Sequence, residues 1–122
     1  MYEYKIKVKR VIDGDTIDAY IDLGFNVSTT KRIRFHGINT PESRTRDLEE
    51  KARGLAAKAR LIEMLDDADE IVLLSHGVGK FGRVLGSLTV IKEYDDENTT
   101  ELDVVATLID EGHGTPYFGG KR

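Results

Sequence analysis

The chain has 122 residues, 39% of them hydrophobic and 33% charged, with a formal net charge of −4. That length suits one domain spanning 1–122, since halves of it would be too small to bury a core unaided. The absence of cysteine excludes disulfides and thiolate metal sites, and three well-separated histidines argue against an imidazole-rich zinc site, so any bound metal should be a hard ion held by oxygen.

The N-terminal residues Met1–Lys5 contain no apolar core of a secretion signal, and no run approaches the roughly 18 apolar residues of a membrane span. The expectation is a cytoplasmic chain with no membrane partner. Tyr2, Tyr4, Ile6 and Val8 alternate with Glu3, Lys5, Lys7 and Lys9, which predicts a half-buried strand over 2–12. Asp13-Gly14 should break it, with Gly14 supplying the backbone angles of a tight turn. A second strand carries Ile17, Ala19, Ile21 and Leu23, and after a loop at Gly24–Thr30 a third covers Lys31–Ile38, with Arg34 and His36 on the face opposite Ile33 and Phe35.

A helix is expected over Leu48–Leu65, where Leu48, Ala52, Leu55, Ala59 and Ile62 form an apolar stripe and Gly54 marks a close packing contact. Strands return at Glu70–Ser75 and Val84–Ile91, followed by a polar turn from Lys92 through Thr99. A short helix at Leu102–Glu111 should stop at Gly112, and the tail from His113 reads as irregular. This is the order of an α+β, mainly β, fold: a five-stranded OB-type Greek-key barrel with one long helix between strands 3 and 4 and a short C-terminal helix. Fold alone does not settle function.

Four stretches carry chemistry. Asp13-Gly14-Asp15-Thr16 sits at a strand break; taken alone it is ordinary turn chemistry, and its spacing does not fit an EF-hand. Asn39-Thr40-Pro41-Glu42 follows the third strand, and Pro41 stiffens that corner so that side chains and the Thr40 carbonyl can point one way. Gly77-Val78-Gly79-Lys80-Phe81-Gly82 matches GxGxxG but precedes a strand, which rejects a dinucleotide site; what remains is a glycine-rich hairpin carrying Lys80 and Arg83. Tyr117 and Phe118 lie in the tail, where they would either stack on a base or cap the core. His36, His76 and His113 show no metal spacing and read as surface or packing residues. The net negative charge argues against a polyanionic partner, yet Lys31, Arg32, Arg34, Arg44, Arg46, Lys80 and Arg83 flank the motifs.

In combination, V-I-D-G-D-T at 11–16, R-x-x-G-I-N-T-P-E at 34–42, K-F-G-R at 80–83 and L-I-D-E-G at 108–112 resemble the staphylococcal nuclease family, from about Tyr4 to Gly112. The resemblance implies one OB-fold domain and a Ca²⁺-dependent nuclease that hydrolyses DNA, with RNA as a second substrate, at low sequence specificity. It implies that Asp15, the Asn39 side chain and the Thr40 carbonyl bind Ca²⁺, with Asp13 supporting them. Glu42 would be the general base, and Arg34 and Arg83 would grip the phosphate. Lys80, Tyr117 and Phe118 are the expected substrate contacts. Asn39 stands where the family usually has aspartate, which should weaken Ca²⁺ binding. Phe81 replaces a common tyrosine, and the chain ends about where staphylococcal nuclease adds its last helix. A nuclease in the cytoplasm would threaten its host's nucleic acid, which a phage or mobile-element origin would accommodate. The alternative is an OB-fold binding module that has lost turnover; an oligosaccharide-binding domain is weaker, because the chain has no tryptophan for sugar stacking.

Overall fold

The computed structural model describes residues 2–79 and 82–118. Its elements are strands β1 (Tyr2–Asp13), β2 (Thr16–Asp22), β3 (Ser28–Phe35) and β4 (Gly37–Asn39), helix α1 (Leu48–Asp66), strands β5 (Glu70–Val78), β6 (Val84–Glu93) and β7 (Thr99–Asp103), helix α2 (Val104–Asp110) and strand β8 (Thr115–Tyr117).

Five strands close on themselves in the order β3-β2-β1-β5-β6, joined by a parallel pairing of β3 with β6. β1 serves two neighbours: Tyr2–Ile6 pair with β5, while Ile6–Asp13 pair with β2. Its register shifts between Val8 and Arg10, and such an irregularity bends a strand sharply enough to curl a sheet. Closure also needs room. A Cβ at Gly86 would run into the Leu73 side chain and lie 3.0 Å from the Leu74 carbonyl oxygen, so glycine lets β6 meet β3 and β5 at once. Inside the barrel, Ile17, Ile33, Phe35, Leu73 and Leu88 are fully buried together with Leu61 of α1 and Val104 and Leu108 of α2. Burying each such side chain contributes on the order of 1.5–3 kcal/mol. The mainly β barrel, the long helix ahead of β5 and the short C-terminal helix are therefore as expected.

Three details differ from the sequence reading. The third strand stops at Phe35, because Gly37 turns the chain at a φ of +86° and restarts it as β4 in a separate two-stranded sheet. The tail supplies its partner: Asn39, Ile38 and Gly37 pair with Thr115, Pro116 and Tyr117, so a segment expected to be irregular is a strand. Thr99–Asp103 are a strand as well, lying antiparallel to the end of β6. Helix α2 starts after it, capped by the Asp103 carboxylate accepting from the Ala106 N–H at 3.0 Å. Its end is as expected: Gly112, at a φ of +80°, donates to the Ile109 carbonyl at 3.0 Å, and His113 donates to the Leu108 carbonyl at 2.8 Å.

The fourth difference is the face on which α1 lies. Asp47 caps the helix by accepting from the N–H groups of Glu49 and Glu50. The buried residues are Gly54, Ala57, Leu61, Met64 and Leu65, whereas the expected stripe of Leu48, Ala52, Leu55, Ala59 and Ile62 faces outward. Two small residues decide the orientation. A Cβ at Gly54 would lie 2.5 Å from the Glu42 carbonyl carbon and 2.7 Å from the Ser43 nitrogen, and the Ala57 Cβ sits where a side chain on Gly14 would have to go. The helix approaches backbone that only small residues can touch, and this outweighs the larger apolar residues on the other side.

Replacing Gly54 by alanine should therefore destabilise the fold. Alanine would gain about 1 kcal/mol of helix propensity, but the methyl meets backbone that cannot swing aside, so a net loss of about 1–3 kcal/mol is expected in urea unfolding. Greater stability in the variant would refute the close-approach account.

Candidate active site

The link between β1 and β2 is two residues long, Gly14-Asp15, and it lies under the corner that follows β4. Gly14 is not in the left-handed region; its role is space, since a Cβ there would sit 2.8 Å from the Ala57 Cβ and 3.2 Å from the Thr40 Oγ1. Helix α1, the Gly14 peptide and the Thr40 side chain are thus stacked in direct contact.

Asp15 is 6% exposed. Its Oδ2 accepts from the Thr40 N–H at 3.0 Å and its Oδ1 from the Thr16 hydroxyl at 2.9 Å. The Asp15 carbonyl accepts from the Phe35 N–H at 2.8 Å, so its main chain is fixed as well. Arg34 reaches the same point from β3, directly across from Thr16. Its Nη2 lies 3.5 Å from Asp15 Oδ2 and donates to Asn39 Oδ1 at 3.1 Å, while Nη1 donates to the Phe35 carbonyl at 2.8 Å. The carboxylate of Asp15 and the amide oxygen of Asn39 therefore face one shared cation, the guanidinium. Asp13 acts one step away, its Oδ1 accepting from both the N–H, at 3.2 Å, and the hydroxyl of Ser43. That holds the residue after Glu42. The Glu42 N–H donates to Glu50 Oε1 at 3.4 Å, and the Glu42 side chain is exposed on the stiff Pro41 corner.

Asp15, Arg34, Asn39 and Thr40 are thus brought into direct contact, with Asp13 and Glu42 attached through Ser43. Arg83 arrives by a different route. β3 and β6 run parallel with Arg34 beside Leu85, which places Arg83 on the same face, two residues upstream of Leu85. There it lines a cleft of about 520 Å³ with Thr30, Arg32 and Gly82. Arg32 is engaged with Asp18 at 2.8 Å, and the Arg32 hydrogen bond, helped by Arg10, holds the Asp18 carboxyl below its usual range. Lys80 and Phe81 lie outside the described residues. Tyr117 is half-buried in β8, and Phe118 is exposed, set edge-on to His36 with ring centroids 5.8 Å apart. Phe118 covers Gly37 and does not cap the core.

One arrangement had no signal in the sequence. His36 and His76 stack with ring centroids 4.4 Å apart, and His76 Nε2 is 3.0 Å from the Ser87 hydroxyl. Burial, then the His36 charge, lowers the His76 pKa. The parallel β3–β6 pairing followed by β5 brings the two rings together, and no local spacing reports a barrel closure.

Could this corner hold a metal? Among the described residues, no group of three or more His, Cys, Asp or Glu side chains is placed to do so. The oxygens that the structure brings together here are the Asp15 carboxylate and the Asn39 amide oxygen, both facing Arg34. The Thr40 Oγ1 beside them is buried without a hydrogen-bond partner among the described residues. An all-oxygen set with one formal charge, already converging on a guanidinium, fits a hard cation bound weakly and does not fit a soft one.

Comparison with known proteins bears on the corner as a whole. The family model described as "Staphylococcal nuclease homologue" matches residues 32–120, a span that includes Arg34, Asn39–Glu42 and Arg83 but begins after Asp13 and Asp15. The chain is 29% identical over 115 residues to the micrococcal nuclease of Shigella flexneri, covering 94% of this chain and 59% of that protein. It is likewise 29% identical over 121 residues to the protein ParB of Escherichia coli, covering 98% of this chain and 61% of that one. The chain thus spans about three-fifths of the length of the curated relatives it matches. With the family match covering most of its length and the barrel in place, the chain belongs to the family of staphylococcal nuclease homologues.

Proposed function

We propose that this protein is a Ca²⁺-dependent nuclease that hydrolyses phosphodiester bonds of DNA, and of RNA as a second substrate, with little sequence specificity. The observation that carries this reading is the Arg34 fork set against Asp15 Oδ2 and Asn39 Oδ1, on the stiff corner that also presents Glu42. A phosphodiester resists attack because it is anionic, and two guanidiniums answer that charge better than lysines, since the planar fork matches two phosphate oxygens. In this reading Arg34 turns its outer N–H groups to the phosphate, and Arg83 approaches from the neighbouring strand.

Glu42 takes the proton of the attacking water as its oxygen bonds to phosphorus; one ester P–O bond breaks, and the departing alcohol takes its proton from solvent. Asp13 and Gly54 are positioning residues, holding Ser43 and the backbone of Glu42. Asp15, Asn39 and the Thr40 carbonyl would hold Ca²⁺. When bound, the ion supplies positive charge against the phosphate oxygens. Exposed Phe118 offers a ring face to a base, with Tyr117 next to it and Lys80 as a further substrate contact of this reading; such stacking tolerates every base, and phosphate contacts carry no sequence information.

A second reading has one observation in its favour. With Asn39 in place of an acid, Arg34 is satisfied within the protein by Asn39, Asp15 and the Phe35 carbonyl, which suits a nucleic-acid-binding module that no longer turns over.

Digestion of plasmid and single-stranded DNA separates the two. Cleavage is expected in Ca²⁺ and not in EDTA, and Glu42→Ala or Arg34→Ala should each slow it by about 10²–10⁴-fold. Binding without cleavage, or undiminished cleavage in either variant, would discard the mechanism. Asn39→Asp adds the missing charge to the donor set, and calorimetric titration should give Ca²⁺ binding about tenfold tighter. Unchanged affinity in that variant would mean the ion sits elsewhere.

A further inference from the structure

A cleft of about 1090 Å³ lies away from Arg34 and Glu42, between the tip of the β2–β3 hairpin and the C-terminal end of α1. Its apolar lining comes from Val8 and Tyr20 on the strands, Phe25 and Val27 on the hairpin, and Ile62 and Leu65 on the helix. Phe25 borders this cleft yet is 100% exposed, so its ring leaves the adjoining hollow unfilled.

The hairpin that carries it is tightly made. Gly24 donates to Asp22 Oδ1 at 2.8 Å, the Leu23 N–H donates to the Val27 carbonyl at 2.9 Å, and the Val27 N–H donates to the Gly24 carbonyl at 2.9 Å. The tip runs through three successive left-handed residues, Gly24, Phe25 and Asn26, at φ of 83°, 56° and 59°. Glycine and asparagine accept that region readily, whereas a bulky aromatic side chain there is strained. Phe25 thus carries two penalties, backbone strain and full hydration of its ring. Burial of the ring would remove the second and offset the first.

We propose that this face is the interface of a two-fold symmetric dimer, in which Phe25 of each copy enters the cleft of the other. A projecting ring beside an apolar hollow on one face is self-complementary, which is the requirement for an isologous contact. The charges agree. On the strand wall of the cleft stands Lys7, while Asp66 ends the helix wall and Asp69 follows in the turn to β5; Lys5 and Glu70, on the neighbouring strands β1 and β5, are already paired at 3.0 Å. A two-fold axis lying in the interface and running along the cleft sets each wall against the opposite one, so Lys7 of one copy faces Asp66 of the other. The same acidic rim, with Asp22 added, would repel anionic lipid headgroups, which disfavours a membrane as the occupant of this face.

Sedimentation equilibrium on the 122-residue chain tests the interface, with wild type expected to be dimeric. Phe25→Asp should weaken association by at least about 100-fold, consistent with a buried aromatic anchor. Lys7→Glu should weaken it by about tenfold, and adding Asp66→Lys should restore it. Thermal unfolding of each variant checks that it folds, since the three positions lie at the surface. A wild-type monomer at concentrations up to about 1 mM, a Phe25→Asp chain that still pairs, a charge swap that fails to rescue, or co-sedimentation with vesicles in place of self-association would each overturn the proposal.

Discussion

The Asp15 carboxylate is the hub on which the corner turns. Buried beneath the segment it organises, it takes the Thr40 N–H on one oxygen and the Thr16 hydroxyl on the other, and stands 3.5 Å from the Arg34 guanidinium. Three separate pieces of chain, the β1–β2 link, β3 and the corner after β4, are thereby fixed to one another by one carboxylate. A carboxylate this buried needs its charge answered, and Arg34 does so from the strand next door. Asp13 repeats the device one turn away, tying Ser43 to the end of β1. The exposed Glu42 lies between these two tethers, carried by a backbone it does not itself have to hold in place.

Packing supplies what hydrogen bonds leave loose. The Glu42–Ser43 peptide is pressed from behind by Gly54 of α1, and the Gly14 peptide by Ala57 one turn further on. Both contacts are backbone against small residue, which leaves little freedom for adjustment. The helix is therefore a wedge beneath the corner, seated by its smallest residues. Its apolar outer stripe plays no part in that seating. Arg60 adds a surface tie to α2 through Glu111, with Nε donating at 2.7 Å.

How far the sequence foretold this depends on the range over which each signal acts. Strand alternation in Tyr2–Val8, the Asp-Gly break and the Gly112 stop are local, and the structure agrees with each of them. The face of α1 was misjudged, because the apolar residues at 48, 55 and 62 outweigh glycine and alanine in any hydrophobic pattern. Only the partner surface, the bare backbone of Glu42 and Ser43, explains why the small residues point inward. β7 and β8 were missed for a related reason. Thr99–Asp103 are exposed throughout, and Thr115-Pro116-Tyr117 is too short to show a period, so both exist because a neighbouring edge needs a partner. The contacts among Asp15, Arg34, Asn39 and Thr40 follow from motifs already in view, while the stacking of His36 on His76 required the closed barrel.

The two ends of α1 divide the labour of the molecule. Its N-terminal half, through Gly54 and Ala57, sets the corner; its C-terminal end, through Ile62 and Asp66, walls the hairpin cleft. Eight residues separate Gly54 from Ile62, about 12 Å along the axis at the usual helical rise. Contact made at the cleft therefore falls at the other end of α1 from the corner that Gly54 seats. The net charge of −4 bears on the same point. Acidic residues gather around the cleft at 22, 66, 69 and 70, whereas Lys31, Arg32, Arg34 and Arg83 lie on β3 and at the start of β6. The total charge thus conceals an uneven distribution, with basic residues along β3 and acidic ones around the cleft, and the fields of the two regions differ in sign.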